Sequence, residues 1–374
     1  MKITAIHTKG VGPVNDGTIS LVNAWTEEVE DKVLFTGPNG CGKSTVLRAV
    51  AMLWEATGYW LDRRKVLPED HPARVWLMRW QGIAVVFDGI QPFTDQPTGL
   101  FFGSEQWLKQ LEKEQPNVCW FGEKTLEIKE EPFFLKITTT VLERRLHLPE
   151  GEPSQLWLEK WSEHRKRMIL THDKVDGPNI IYFDAEERRW VVPVVNVSEP
   201  QPDVLSQRWL TQYIATQQWQ GQIESSLITL KTTQLHRFHR VIKHLNEFLF
   251  DKVIETDIKP GEDRLRVKLK GKRGVYHSID ELSAGERQVL ILIYLISRWM
   301  QPGGIVLIDE PDMFLHPSLV EPLLATLELI VQDNGGQLII TSHAVDVWES
   351  YESQGMRIEM NTQNKDVEMG LSKS

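Results

Sequence analysis

Cysteine is scarce in this sequence, with Cys41 and Cys119 the only two. Two thiols cannot build a disulfide framework or a cysteine-based zinc site, and such usage suits a reducing compartment. Long apolar runs are missing too: the stretch Val289 to Ile296 is broken at Arg298, far short of a bilayer span. No membrane passage is expected. The opening residues MKITAIHTKG alternate like a strand and lack the charged, apolar and small-residue regions of a secretory signal, so a cytoplasmic location is expected. Positive charge is in deficit, because 42 lysines and arginines face 52 aspartates and glutamates for a formal net charge of −10. That balance disfavours a generally basic surface and leaves room only for a local basic patch. Neither an internal repeat nor a sustained heptad pair flanking a Cys-x-x-Cys hook is found, which argues against a solenoid or a long coiled-coil arm.

What the sequence does contain is concentrated at its two ends. Residues 1–35 read as short strands, Ile3 to His7, Thr18 to Val22 and Val33 to Phe35, separated by Gly and Asn/Asp turn signals. A glycine-rich turn follows, then a helical period over Ser44 to Ala56. From about 276 the spacing predicts a helix over Gly285 to Met300, a buried strand Ile305 to Ile308, a helix near Ser318 to Val331 and a second buried strand Leu338 to Ile340. Between the ends lie candidate strands Ile83 to Phe87, Phe134 to Val141 and Ile180 to Phe183, a helix near Trp157 to Met168 and one long amphipathic helix Ile223 to Phe250. The expected organisation is an N-terminal lobe over 1–60, an inserted β/helical lid region over 61–275 and a C-terminal lobe over 276–374.

Gly37-Pro38-Asn39-Gly40-Cys41-Gly42-Lys43-Ser44-Thr45 fits the phosphate-binding loop pattern, entered from a strand and leaving into a helix. Glycines there let backbone N–H groups turn toward phosphates, and the helix N-terminus adds its positive end. Asn39, Gly40, Gly42, Lys43, Ser44 and Thr45 are therefore expected to hold a nucleotide, with Lys43 on the β/γ-phosphates and the Ser44 hydroxyl on Mg2+. Ile305 to Pro311 is an apolar strand ending in Asp309 and Glu310, and acids at the carboxyl end of a parallel strand lie where ligands bind. Asp309 is expected on Mg2+ and Glu310 as the general base for an attacking water. Leu282-Ser283-Ala284-Gly285-Glu286-Arg287-Gln288 opens a helix, so the Ser283 hydroxyl and the Gly285 N–H form a further candidate anion site, with Glu286 placed to complete a capping box.

This last segment resembles the signature motif of ABC-type ATPases, with Ala284 where a second glycine is commoner. Thr341-Ser342-His343 resembles the same family's switch histidine. The order of the motifs, with PDMFLHP over Pro311 to Pro317, is similar to the RecF/SMC-like branch, and especially to AAA-type ATPases related to the overcoming-lysogenization-defect and Septu defence families. The resemblance covers residues 1–55 and 276–348. It implies an α/β P-loop ABC-ATPase head with a RecA-like parallel sheet, an N-terminal antiparallel β-layer and an inserted helical lid. It also implies ATP and Mg2+ as ligands, and His343 with Glu310 and Lys43 as catalytic residues. Two heads would pair head to tail, each ATP held by one chain's phosphate loop and the other chain's Ser283 and Gly285. The expected role is a nucleotide-gated sensor or regulator in anti-phage defence or genome maintenance. With about 31 residues after His343, a C-terminal nuclease domain is not expected, and an effector such as a nuclease would be a separate chain. The alternatives are a DNA-repair clamp of RecF type, a nucleotide-dependent scaffold with negligible turnover and a transporter's energising subunit, the last disfavoured by the long insertion before the signature.

Other features carry less. Ile180 to Phe183 leads into Asp184-Ala185-Glu186-Glu187-Arg188-Arg189 without the glutamine that relatives place after such a strand. His236, His239 and His244 read as a solvated helix face, the tryptophans as mostly core or interface filler, and Cys41 as filling space within its loop. Period-two alternation puts Arg264, Arg266, Lys268 and Lys270 on one strand face, a candidate strip for nucleic acid or an acidic partner.

Overall fold

The computed structural model describes residues 1–130, 139–173, 175–192, 204–215, 223–257, 264–272 and 274–361. The chain begins with β1 (Ile3–Lys9), β2 (Gly17–Ser20) and β3 (Lys32–Thr36). After the glycine-rich turn come α1 (Lys43–Arg63), α2 (Pro72–Leu77), β4 (Gly82–Phe87), β5 (Thr98–Ser104), α3 (Glu105–Glu114), β6 (Cys119–Glu130) and β7 (Thr139–His147). The middle continues with α4 (Glu152–Leu170), β8 (Ile180–Phe183), β9 (Leu210–Gln212), α5 (Ile223–Thr233) and α6 (Leu235–Phe248). Then follow β10 (Lys252–Ile254), β11 (Arg266–Leu269), β12 (Tyr276–Ser278) and α7 (Ala284–Trp299). The last described elements are β13 (Ile305–Ile308), α8 (Pro317–Asp333), β14 (Gln337–Thr341), α9 (Val345–Gln354) and β15 (Met356–Glu359). Of the expected strand Phe134 to Val141, the part before Thr139 lies outside the described residues, and the rest opens β7.

The central sheet runs β15-β3-β14-β13-β8-β9 with every pair parallel. Its inner strands are apolar and buried along their whole length, as strands covered on both faces must be. Because β3, β14 and β13 are neighbours, the segments that leave their carboxyl ends emerge side by side. Those segments are the phosphate loop, the Thr341-Ser342-His343 triplet and the acidic pair, so the sheet order alone gathers three motifs that are up to 300 residues apart in sequence.

A second sheet runs β2-β1-β4-β5-β6-β7. It is the expected antiparallel layer with one parallel pair, β5–β6, for which α3 is the crossover. Most of its strands come from residues beyond the first lobe: β4 to β7 join this layer while β8 and β9 join the central sheet. Residues 61–275 thus contribute to both large sheets. A small antiparallel sheet, β10-β11-β12, precedes α7.

The single helix expected over Ile223 to Phe250 is two helices, broken at Gln234, whose φ is −143°. Thr232 and Thr233 both donate their hydroxyls to Thr229 O, and such back-bonding competes with the helical ladder.

Helix α1, which carries the phosphate loop, is anchored by tryptophan. Trp54 stacks on Trp209 with centroids 4.3 Å apart. Each indole donates to the other's backbone carbonyl, Trp54 Nε1 to Trp209 O at 2.9 Å and Trp209 Nε1 to Trp54 O at 3.2 Å. Trp54→Ala removes a fully buried side chain and one of the two hydrogen bonds to the Trp209 carbonyl, so unfolding free energy should fall by about 3–5 kcal/mol. A urea titration will register this as a lower midpoint with an unchanged slope. Not every tryptophan is core: Trp25 is 96% exposed.

Candidate active site

The chain leaves β3 through a turn in which Gly37, Gly40 and Gly42 have φ of 141°, 80° and 98°. A Cβ on Gly42 would stand 2.5 Å from Val14 Cγ2, and one on Gly37 only 2.2 Å from Met360 O, so both positions need a bare backbone. Helix α1 begins with no acidic residue in its first turn and no side-chain cap, which leaves the positive end of its dipole unneutralised. Lys43 is 5% exposed and folds back over the loop, donating from Nζ to Gly37 O at 3.0 Å and Pro38 O at 3.2 Å. Asn39 and Gly40 stand exposed at the crest, with Ser44 and Thr45 half-buried behind them. Cys41 is wholly buried within the loop.

Across from the loop, two hydroxyls converge on one oxygen of Asp309. Ser44 Oγ donates to Asp309 Oδ1 at 2.9 Å, and Thr341 Oγ1 donates to the same atom at 2.7 Å. The cluster offers hydroxyl and carboxylate oxygens only, a donor set that fits a hard divalent cation such as Mg2+. Glu310 has φ of 48°, the left-handed region, which costs a residue with a Cβ roughly 1–2 kcal/mol. Its main chain is over-determined: the N–H donates to Thr341 Oγ1 at 2.9 Å, while the carbonyl accepts from Arg188 Nη2 at 2.6 Å and from the Met313 N–H at 3.1 Å. The Glu310 side chain is therefore aimed independently of what it touches. Its Oε1 lies 3.4 Å from His343 Nε2, and both side chains are about a third exposed, at 33% and 39%. Asp309, by contrast, is 4% exposed. One acid is buried among hydroxyls, and the other opens to solvent beside an imidazole.

Ser283 caps α7 in a reciprocal box, its hydroxyl accepting from the Glu286 N–H at 3.3 Å while Glu286 Oε2 accepts from the Ser283 N–H at 2.8 Å. Glu286 also pairs with Lys252 of β10. Gly285 is buried against the segment after the acidic pair, where a Cβ would stand 3.0 Å from Phe314 O. Ser44, Asp309, Glu310, Thr341 and His343 are thus gathered in one place. The described hydrogen bonds of Ser283 stay within the first turn of α7, to Glu286 and Arg287.

Two side chains in this site escape the sequence reading. Thr341 sits in a triplet singled out for its histidine, and Arg188 sits in a highly charged turn that reads as solvated, yet is 1% exposed. The basic strip also changes. Leu265 and Val267 are buried while Lys268 and Lys270 are exposed, as alternation requires, but Arg264 is consumed by ion pairs with Glu224 and Asp280. Arg266 lies over the Tyr276 ring, 5.2 Å from its centroid.

Residues 220–345 match a family model described as "AAA domain, putative AbiEii toxin, Type IV TA system". Together with the parallel sheet and the motif order, this match supports an ABC/SMC-like AAA ATPase fold. Among curated proteins, the chain is 33% identical over 111 residues to the "Retron Ec83 probable ATPase" of Escherichia coli. It is 38% identical over 76 residues to the sn-glycerol-3-phosphate import ATP-binding protein UgpC of Salmonella paratyphi A. These matches take in 27% and 19% of this chain, and span only 20% and 19% of the two relatives. Among solved structures, the SMC head bound to the C-winged helix domain of ScpA aligns over 92% of this chain and 91% of its own, at 12% identity and a TM-score of 0.43. The SMC head domain from Thermotoga maritima aligns over 94% and 92%, at 13% identity and a TM-score of 0.41. No described helix is long and apolar enough to cross a membrane.

Proposed function

We propose that this chain binds ATP with Mg2+ and hydrolyses it by in-line attack of water on the γ-phosphate. The observation that carries the reading is the convergence of Ser44 and Thr341 on buried Asp309, with solvent-open Glu310 beside His343. In this arrangement the loop N–H groups and Lys43 hold the β- and γ-phosphates, and Glu310 orients the attacking water and takes its proton. His343 contacts the γ-phosphate and, through its 3.4 Å approach, constrains the Glu310 carboxylate. Ser44 and Asp309 hold the Mg2+, which offsets the charge of the phosphates when bound. Catalysis rests on positioning and electrostatics. The direct test is phosphate release by the purified chain with Mg2+ and with the metal chelated; turnover indifferent to chelation contradicts the reading.

The finer proposal is a head-to-tail homodimer that closes on two ATP molecules, with Ser283 and Gly285 of one chain capping the nucleotide of the other. Exposure of Ser283 at the start of α7 supports this, because the positive end of a helix N-terminus favours an anion. The role proposed for this chain is a nucleotide-gated sensor or regulator in anti-phage defence or genome maintenance with a separate effector chain, and its similarity to a retron's probable ATPase is in keeping with a regulatory ATPase that is not a transporter subunit.

Nucleic acid is a candidate trigger, and the remaining basic strip gives it a measurable signature. With Arg264 held in ion pairs, engagement of one phosphate each by Arg266, Lys268 and Lys270 would give a log–log salt slope of duplex binding of about −2.7, at about 0.9 per phosphate. Replacing these three with glutamine should flatten that slope and leave basal turnover intact. An unchanged slope removes the strip from nucleic-acid contact.

A further inference from the structure

Arg188 lies under the acidic pair with its head group enclosed by protein. Its Nη2 donates to two successive carbonyls, Asp309 O at 2.8 Å and Glu310 O at 2.6 Å. The Arg188 carbonyl in turn accepts from Gln288 Nε2, and Gln288 stands on α7 five residues after Ser283, 7% exposed. Among the described residues, Arg188 Nε and Nη1 have no hydrogen-bond partner, nor has Gln288 Oε1. Burial pushes the guanidinium down to about 10, against the pull of Asp309, Asp312 and Glu310, so it is still cationic at neutral pH. A buried cation with unpaired donors is a costly way to bridge two carbonyls. A neutral amide could make the same contact for less, so fold stability alone does not account for the arginine.

The connectivity accounts for it better. From the Ser283 cap, α7 runs as one helix to Gln288; Gln288 grips the Arg188 main chain; and the Arg188 head grips the left-handed main chain of Glu310. The Gln288 link is buried and the Glu310 link part-buried, and a helix moves as a rigid body. We infer that Arg188 is a positioning residue that fixes the Glu310 backbone and ties it, through Gln288, to the signature-bearing helix, so that engagement of Ser283 is felt at the base of the same chain. This rests on Glu310 acting in hydrolysis, as proposed above.

The test pairs two conservative variants. Arg188→Lys keeps the charge but loses the planar fork, and Gln288→Met keeps the reach of the side chain but loses the N–H donor. Each should lower kcat at least tenfold while KM and binding of a fluorescent ATP analogue stay within about twofold, and Arg188→Met should be no better than Arg188→Lys. Because both residues act in one relay, the double variant should be no slower than the slower single within about twofold. A wild-type kcat in Arg188→Lys, or losses that multiply in the double variant, would overturn the inference. If Arg188→Lys fails to fold by circular dichroism, Gln288→Met decides alone: a wild-type kcat there overturns the relay, and a tenfold loss at constant KM upholds it. Wild type and Glu310→Gln are assayed alongside. Equal turnover in those two sinks the base assignment and the relay with it, whereas a large gap between them with a fast Arg188→Lys sinks the relay only.

Discussion

Glu310→Gln should release phosphate at least about a hundredfold more slowly than wild type while still binding ATP, the lower range for loss of a general base. The substitution is nearly isosteric, and the bonds that fix residue 310 are made by its main chain: to Thr341, Arg188 and Met313. None depends on the carboxylate, so the backbone should keep its left-handed turn and the loss should be chemical. ATP-bound dimer should accumulate, because nucleotide is captured and not spent. Single-turnover phosphate release and analytical ultracentrifugation with ATP measure the two halves of this expectation. Turnover equal to wild type would take Glu310 out of the base role.

The contrast with Asp309 and Lys43 gives the experiment its resolution. Asp309 receives the hydroxyls of Ser44 and Thr341, so altering it disturbs the local structure as well as any metal. Lys43 lies on the loop itself, and Lys43→Ala should weaken nucleotide binding directly. Only at Glu310 does the geometry separate binding from chemistry.

The parts of this site legible in the sequence are those whose chemistry demands consecutive residues. A loop that must turn several N–H groups toward one phosphate needs its glycines within a few positions. A parallel strand buried on both faces shows as an unbroken apolar run, so Asp309 and Glu310 announce themselves by following one. The capping box at Ser283 is likewise a three-residue relation, found where the spacing places it. Long-range pairing has no such local mark. Arg188 is buried only because β13 and α7 close over it, and its partners are 121 and 122 residues away. Arg264 reads as one of four equal cations by alternation, yet Glu224 and Asp280 claim it from 40 and 16 residues away. The break at Gln234 shows a different limit: periodicity of apolar residues on both sides is unchanged across it, and only hydroxyl back-bonding at Thr232 and Thr233 distinguishes two helices from one.

Ser283→Arg and Lys43→Ala should each be inactive alone and should regain turnover when mixed. Lys43 folds over the phosphate loop, while Ser283 makes its described bonds to Glu286 and Arg287 at the head of α7. If a nucleotide needs both, two chains can supply them by pairing head to tail, and each dimer then holds two composite sites. Arginine at 283 removes the cap acceptor, at a cost of about 1 kcal/mol to the helix, and fills the exposed position where the partner's nucleotide would dock. Lys43→Ala leaves the signature intact but loses the cation facing the phosphates. A heterodimer of the two variants keeps one unaltered site, formed by the loop of the Ser283→Arg chain and the signature of the Lys43→Ala chain. Random pairing of equal amounts makes about half the dimers mixed, so independent sites should restore roughly a quarter of wild-type turnover. Mixed dimers that form but stay silent mean that the two sites fire together. Full turnover by Ser283→Arg alone, at concentrations where sedimentation shows monomer, would contradict a shared site and leave Ser283 an ordinary helix cap.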